Sequence, residues 1–322
     1  MRSMQIHLKG LAEENFVMGA EDGSLISTDL DKTLCFTVCG AGKTGKTNFL
    51  KYTALLMKKK GAQVYVFDGC LRELEEFSRN NDLDGYMTDK EELYHFMENE
   101  LLPQLGERNE LVYEARQAKT SVKEALKNYK RMVLLINSAS EFMEAVYSED
   151  FDVSEVLETV FEKGMDHRLH FFMALSPREY EELAGYRAIR QFGDWKQGIH
   201  LGGAFDEQGI FDYEITPSER SRTYPAGAAF TGQEGRAVLF MTPLEIEIPG
   251  NAKTYEFVLD DRMKIGTAKE QIKKQIAELE GHDLFAGLDN IVFGSLELEG
   301  LIQDNETFRE VGIKNGSRVV MV

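Results

Sequence analysis

Apolar residues follow two different periods along this chain. Up to about position 240 they come in short, nearly unbroken runs: Leu34 to Cys39, Gln63 to Phe67, Met132 to Ile136 and His170 to Leu175, with shorter ones at Ile199-His200-Leu201 and Ala237 to Met241. Runs of this length without alternation are what strands covered on both faces require. Between them the spacing turns helical. Thr47 to Lys60 places Leu50, Ala54 and Met57 on one stripe; Gly61 is positioned to cap the C-terminus, and Lys58-Lys59-Lys60 complements the negative end of the helix. From about Thr88 to Lys130 the pattern is helical again, with Thr88-Asp89-Lys90-Glu91 as a capping box. Strands alternating with helices predict an α/β architecture with a mainly parallel sheet.

Past Pro243 the period becomes two. Leu244, Ile246 and Ile248 alternate with Glu245 and Glu247, and Tyr255, Phe257 and Leu259 alternate on the far side of Pro249-Gly250-Asn251, which predicts a β-hairpin with one buried face. Thr267-Ala268-Lys269-Glu270 reads as a capping box before a helix carrying Ile272, Ile276 and Leu279, and Ile291 to Phe293 and Arg318 to Val322 are further strands, the latter entered through Asn315-Gly316. This predicts two domains: residues 1–243, and a small α+β module over 244–322.

The sharpest chemical signal joins the first apolar run to the first helix. Gly40-Ala41-Gly42-Lys43-Thr44-Gly45-Lys46-Thr47 fits GxxxxGK[ST], the phosphate-binding P-loop. Backbone N–H groups of such a loop converge on phosphates, and the helix N-terminus behind them adds its positive potential. Lys46 would reach the β- and γ-phosphates of a nucleoside triphosphate, Thr47 would offer its hydroxyl to Mg²⁺, and Gly45 lets the backbone come close. At average residue frequencies the pattern arises by chance in about one in a hundred chains of this length, and here it also has the strand and helix it needs on either side. The expected cofactors are ATP and Mg²⁺.

Hydrolysis needs more than the cradle. A neighbouring strand normally ends in an aspartate that orders the metal and a glutamate that polarises water. The matching strand here, Met132 to Ile136, ends in Asn137-Ser138. Asn137 carries no charge and Ser138 is a poor base; loss of a positioned base costs about 10²–10⁴ in rate. Glu141 and Glu144, one or two turns on, are either substitutes or surface acids. Ser176, at the end of the next strand, is either a γ-phosphate sensor or the N-cap ahead of Pro177-Arg178-Glu179. Arg187 and Arg190 are either solvated or fingers for a neighbour's nucleotide.

Charge and cysteine content narrow the partners. A formal net charge of −18 over 322 residues works against a nucleic-acid surface. Three cysteines, Cys35, Cys39 and Cys70, form no CxxC pair and fit free thiols in a reducing cytosol. The apolar runs are too short to span a bilayer, so a cytoplasmic chain, brought to a membrane face only by a larger protein or partner, is expected.

Taken in order, Phe16-Val17-Met18-Gly19, Asp29-Leu30, the P-loop, Phe67-Asp68, the helical insert before Met132, Leu169 to Pro177, Tyr224-Pro225-Ala226-Gly227 and Gly235 to Pro243 resemble FtsK/SpoIIIE-type motor domains, which have a RecA-like P-loop fold. Ile291 to Leu298, Asp304 to Phe308, Val311-Gly312-Ile313 and the last strand resemble ubiquitin, whose β-grasp fold also occurs in the small YukD-type proteins of type VII secretion. The pairing is similar to the terminal ATPase module of EssC-type secretion ATPases, often catalytically degenerate, with a ubiquitin-like domain attached; conjugation through a terminal Gly-Gly is not expected. The resemblance implies other ATPase modules or subunits as partners, with secreted proteins as possible substrates, and a fragment or stand-alone relative of a larger membrane protein. Three readings stay open: an ATP-binding regulatory, assembly or docking module with weak or absent hydrolysis; an active DNA or protein translocase; and an interaction module with a vestigial P-loop.

Overall fold

The computed structural model describes residues 14–21, 24–204, 210–211, 213–233, 236–242, 244–248, 253–257, 263–288, 291–295, 300–313 and 318–322. The first part of the chain runs β1 (Asn15–Glu21), β2 (Ser24–Asp29), β3 (Cys35–Gly40), α1 (Lys46–Lys59), β4 (Gln63–Phe67), α2 (Glu75–Asn80), β5 (Gly85–Met87), α3 (Lys90–Phe96), α4 (Leu102–Gln117), α5 (Val122–Ala125) and β6 (Met132–Ile136). It continues through α6 (Ala139–Val146), α7 (Ser154–Lys163), β7 (Leu169–Leu175), α8 (Pro177–Leu183), α9 (Arg187–Gly193), β8 (Gly198–Ala204), α10 (Pro217–Arg220), β9 (Thr223–Gln233) and β10 (Arg236–Met241). Beyond these come β11 (Leu244–Ile248), β12 (Lys253–Phe257), α11 (Ile265–Glu280), β13 (Phe293–Ser295), β14 (Gly300–Ile302) and β15 (Arg318–Met321).

A large sheet has the order β2-β1-β10-β9-β8-β3-β7-β6-β4-β5. Its part from β8 to β5 is parallel, as the unbroken apolar runs predict. Each central strand feeds both faces, because successive side chains point to opposite sides. Met132, Leu134, Ile136, Phe171, Met173 and Leu175 join one core with α3, α6, α7 and α9. Val133, Leu135, Phe36, Val38, Phe172 and Ala174 join the other with α1. Burying aromatic side chains such as Phe36 and Phe172 stabilises the fold by ~2–3 kcal/mol each. The other half of the sheet, β9, β10, β1 and β2, is antiparallel, and of these four strands the sequence pattern announces only β10, through the run Ala237 to Met241.

Two expected caps sit elsewhere. Asp89, not Thr88, is the N-cap of α3: its carboxylate accepts from Glu91 N and Glu92 N, while Glu92 reaches back to Thr88 N. α11 begins at Ile265, ahead of Thr267, because the N–H groups of Ile265 and Gly266 donate to Glu306 O and Asp304 O, so this helix start needs no side-chain cap. The helical stretch before β6 is also divided. Pro103 has no N–H to donate backwards, and the helix widens to a π turn over Met97–Leu101 before α4.

The second sheet has the order β12-β11-β15-β13-β14, with β11 and β15 parallel and every other pair antiparallel. Ile265, Ala268, Ile272 and Ile276 of α11 pack with Phe257, Phe293, Val319 and Met321 in a core of its own. The turns expected at 249–251 and 315–316 lie outside the described residues.

A buried polar chain pins the N-terminal end of the parallel strands. His170 lies between Thr33 O (2.6 Å from Nδ1) and Arg131 (3.1 Å from Nε2), and Arg131 also pairs with Asp31. The neutral imidazole satisfies both neighbours, donating from Nδ1 and accepting at Nε2; a second proton would set donor against donor. Burial, then the Arg131 charge, holds its pKa down at about 3. The unfolded chain therefore binds this proton near pH 6.5 while the folded chain does not, and stability falls as the pH drops below that value, at up to about 1.4 kcal/mol per pH unit. Urea denaturation of wild type and His170→Gln from pH 7 to pH 4.5 checks this: the variant should start less stable and lose less on acidification, whereas parallel curves would show that His170 is not the group titrating.

Candidate functional site

The site lies at the carboxyl edge of the parallel strands, where the segments following β3, β4, β6 and β7 meet. In open α/β sheets ligands bind at this edge, in the crevice outside the carboxyl ends of the strands. β3 is buried throughout and delivers Gly40 to the loop. A β-carbon there would stand 2.5 Å from Thr44 Oγ1 and 2.6 Å from Leu201 O, so only glycine fits. Gly45, at φ +105°, turns the chain into the 14-residue α1.

Lys46 opens α1 and folds back into the loop. Its ammonium donates to Gly40 O at 2.8 Å and Ala41 O at 2.9 Å. Burial pulls its pKa below the usual lysine value, and Glu179, Cys39 and Glu73 oppose that shift. The ammonium thus sits at the mouth of the ring of backbone groups, held by two neutral carbonyls.

Thr47 faces the ends of β4 and β6. Its hydroxyl lies 3.0 Å from Glu73 Oε2 and 3.2 Å from Asn137 Oδ1, two acceptors for one proton. Asn137 is the hub: its amide nitrogen donates to Asp68 Oδ1 at 2.8 Å and Glu73 Oε2 at 3.0 Å. Asp68 is 1% exposed. Its second oxygen accepts from Leu74 N and Tyr86 OH, which fixes the segment that carries Glu73.

The other expected residues fall close by but in different employment. Ser138 donates to Glu141 Oε1, and Glu141 also accepts from Cys70 N at 2.7 Å and Cys70 Sγ at 3.4 Å. Glu141 therefore ties the segment after β4 to the end of β6. Gly69 permits that contact: at φ +75° its missing β-carbon would lie 2.7 Å from Glu141 Oε1. Glu144 is exposed. Ser176 caps α8, accepting from Glu179 N while Glu179 accepts from Ser176 N. Arg187 pairs with Glu158 and Glu162, and Arg190 donates to Ala184 O and Gly185 O.

Sequence reasoning passes over Asp68, Glu73 and Glu179. The first was legible: Asp68 ends the run Gln63 to Phe67, and parallel neighbours of the P-loop strand all end on the same edge. Glu73 and Glu179 sit on irregular or capping segments whose direction no periodicity encodes.

Comparison with known proteins gives a fold without a family. No protein-family model and no curated sequence matches the chain. Among solved structures it is similar to the cytoplasmic domain of EssC, at 17% identity and TM-score 0.61, covering 74% of this chain and 45% of that one. It is also similar to Thermomonospora curvata EccC (ATPases 2 and 3) in complex with a signal sequence peptide, at 16% identity and TM-score 0.51, covering 71% of this chain and 40% of that one. A third neighbour is the pCW3 conjugation coupling protein TcpA, in monomer form with ATPγS, at 17% identity and TM-score 0.52, covering 72% and 66%. The chain spans less than half of the EssC and EccC structures. The large sheet thus has the RecA-like P-loop ATPase fold of EssC and EccC ATPase domains. Among the described residues no helix is long and apolar enough to cross a membrane.

The Glu141 tether makes a chemical prediction. Its carboxylate raises the exposed Cys70 thiol above the usual cysteine range, while Cys35 and Cys39 are buried. Thiol labelling of the native chain therefore reports Cys70. Glu141→Gln should speed labelling several-fold near pH 7.5 by freeing thiolate; an unchanged rate would mean that the tether does not control the thiol.

Proposed function

We propose that this chain is an ATP-binding module of a secretion-type ATPase, with Gly40 to Thr47 as its nucleotide cradle. The reading rests on one observation: on a sheet with the fold of EssC and EccC ATPase domains, a glycine-rich turn delivers Lys46 and Thr47 to the edge where four loops converge. Its own lysine fills the mouth of that loop through two neutral carbonyls, contacts that a triphosphate, far more strongly charged, would replace. Thr47 would hold Mg²⁺, and Ser176, which follows the strand beside β3 and caps α8, would be the candidate γ-phosphate sensor.

Hydrolysis is weak or absent in this reading. Asn137 and Ser138 stand where a metal-ordering aspartate and a base would be. Ser138 is engaged by Glu141, and Glu141 is in turn occupied by the Cys70 segment. Nucleotide would then act in regulation, assembly or docking beside other ATPase modules of a secretion machine, at the cytoplasmic face of a membrane. Residues 1–243 form the ATPase domain and 244–322 a ubiquitin-like docking domain. Support for the latter comes from the strand order β12-β11-β15-β13-β14 with one helix packed against it, an order that places the first and last strands side by side and parallel.

Calorimetric titration with MgATP and a turnover assay, run together, test the reading. Wild type should bind and turn over far below about 1 s⁻¹, the low end for enzymes. Lys46→Ala should abolish binding, and the double substitution Asn137→Asp with Ser138→Glu should raise turnover. Wild-type turnover at or above that rate would refute the binding-only reading, and unimpaired binding by Lys46→Ala would refute the site.

A further inference from the structure

We propose that Glu73 supplies the carboxylate that the end of β6 lacks, and that with Thr47 and Asn137 it forms the protein side of a divalent-cation site for the bound nucleotide. The inference rests on the nucleotide reading of Gly40 to Thr47 and assigns to that site a residue from a different strand end.

Three observations carry it. The first is distance. Mg²⁺ binds oxygen at about 2.0–2.1 Å in octahedral geometry, so two adjacent ligands lie about 3.0 Å apart. Thr47 Oγ1 is 3.0 Å from Glu73 Oε2 and 3.2 Å from Asn137 Oδ1. The P-loop hydroxyl thus already has two oxygens at the spacing of neighbouring ligands. Today one proton and one amide hold these groups together; a cation would take the same oxygens and leave the Thr47 proton free to turn outward.

The second is charge. Asn137 brings a neutral oxygen, so the end of β6 alone would hold a hard cation poorly. Glu73 restores one negative charge beside it, from the segment after β4. Among the described residues no group of three or more His, Cys, Asp or Glu could hold a metal ion. That fits a cation that arrives with phosphate oxygens, which is how Mg²⁺ usually binds: one or two protein carboxylates, water, and the substrate's phosphates.

The third is support. Glu73 is exposed, and an exposed glutamate normally wanders. Here the segment is fixed on both sides. Asp68 accepts from Leu74 N at 2.6 Å, directly beside Glu73, and Glu141 accepts from Cys70 N. Asp68 also orients the Asn137 amide so that its oxygen, rather than its nitrogen, faces Thr47. Outer groups of this kind are worth about 10–100-fold in metal affinity.

The arrangement would account for the proposed binding without rapid turnover. A Glu73 carboxylate engaged with a cation and Thr47 is no longer a base for water.

The test measures ATP affinity of the full chain by calorimetry, with Mg²⁺ and again with EDTA, for wild type and Glu73→Gln. A carboxylate at the cation has opposite effects in the two conditions. With Mg²⁺ the variant should bind ATP about 10-fold more weakly; with EDTA it should bind as well as wild type or better, because a negative charge facing the triphosphate is gone. Mn²⁺ supplied with ATP and followed by its electron paramagnetic resonance should show the same loss, and Glu73→Asp should recover part of it. Thermal melting confirms that the exposed substitution leaves the fold intact. Equal weakening in both conditions would reduce Glu73 to a loop-positioning residue, and equal affinities throughout would remove it from the site; either result overturns this proposal and leaves the nucleotide reading standing. A wild-type chain that binds no ATP with or without Mg²⁺ overturns both.

Discussion

Parallel pairing of β3 with β7, of β7 with β6 and of β6 with β4 is the constraint on which the rest of this structure hangs. Parallel strands cannot be joined by tight turns, so each must be followed by a crossover that covers a face of the sheet. The strands are then buried on both sides, and their loops all emerge at one edge. The alternation of β6 between two cores, with Met132, Leu134 and Ile136 on one side and Val133 and Leu135 on the other, is the packing signature of that arrangement. Its functional result is convergence: Gly40, Asp68, Asn137 and Ser176 are far apart in sequence but end neighbouring strands of one sheet.

At that edge electrostatics decides which side chains can sit together. An amide at position 137 can orient partners through both of its ends, and here it does, accepting from Thr47 and donating to Asp68 and Glu73. A carboxylate there could not donate, and Asp68 beside it would become a repelled like charge. The neutral side chain is thus part of a network that includes two acids, rather than a hole left by a missing one. The same logic applies at Ser138, whose hydroxyl donates to Glu141. Each departure from the usual acidic pair is matched by an acid on a neighbouring segment.

How much of this was legible in the sequence follows from what periodicity encodes. β3, β4, β6 and β7 were visible because burial on both faces forces uninterrupted apolar runs, and the P-loop because its glycines answer to geometry that no other residue meets. The antiparallel strands β1, β2 and β9 were not: Tyr224-Pro225-Ala226-Gly227 carries proline and two small residues and has neither period. The cap of α3 was misplaced by one residue because Asp89 and Thr88 are both good caps and the choice between them is made by Glu92. Of the site, the residues within the motif were readable, whereas Glu73 depends on the direction of the six-residue segment Gly69 to Leu74, fixed by Asp68 and Glu141 from outside it.

The second sheet has its last strand in chain order at its centre. β15 pairs with β11 on one side and β13 on the other. Before residues 318–321 are made, the β11–β12 hairpin and the β13–β14 pair share no edge, and two-stranded ribbons are marginal in water. The pairing that unites them spans more than seventy residues, a closure of the slow, non-local kind. The two halves of this sheet therefore have no strand to join them until the last one emerges during synthesis. It is complete only once residues 318–321 are made, after β3 to β8 have had every strand they need to close the parallel sheet.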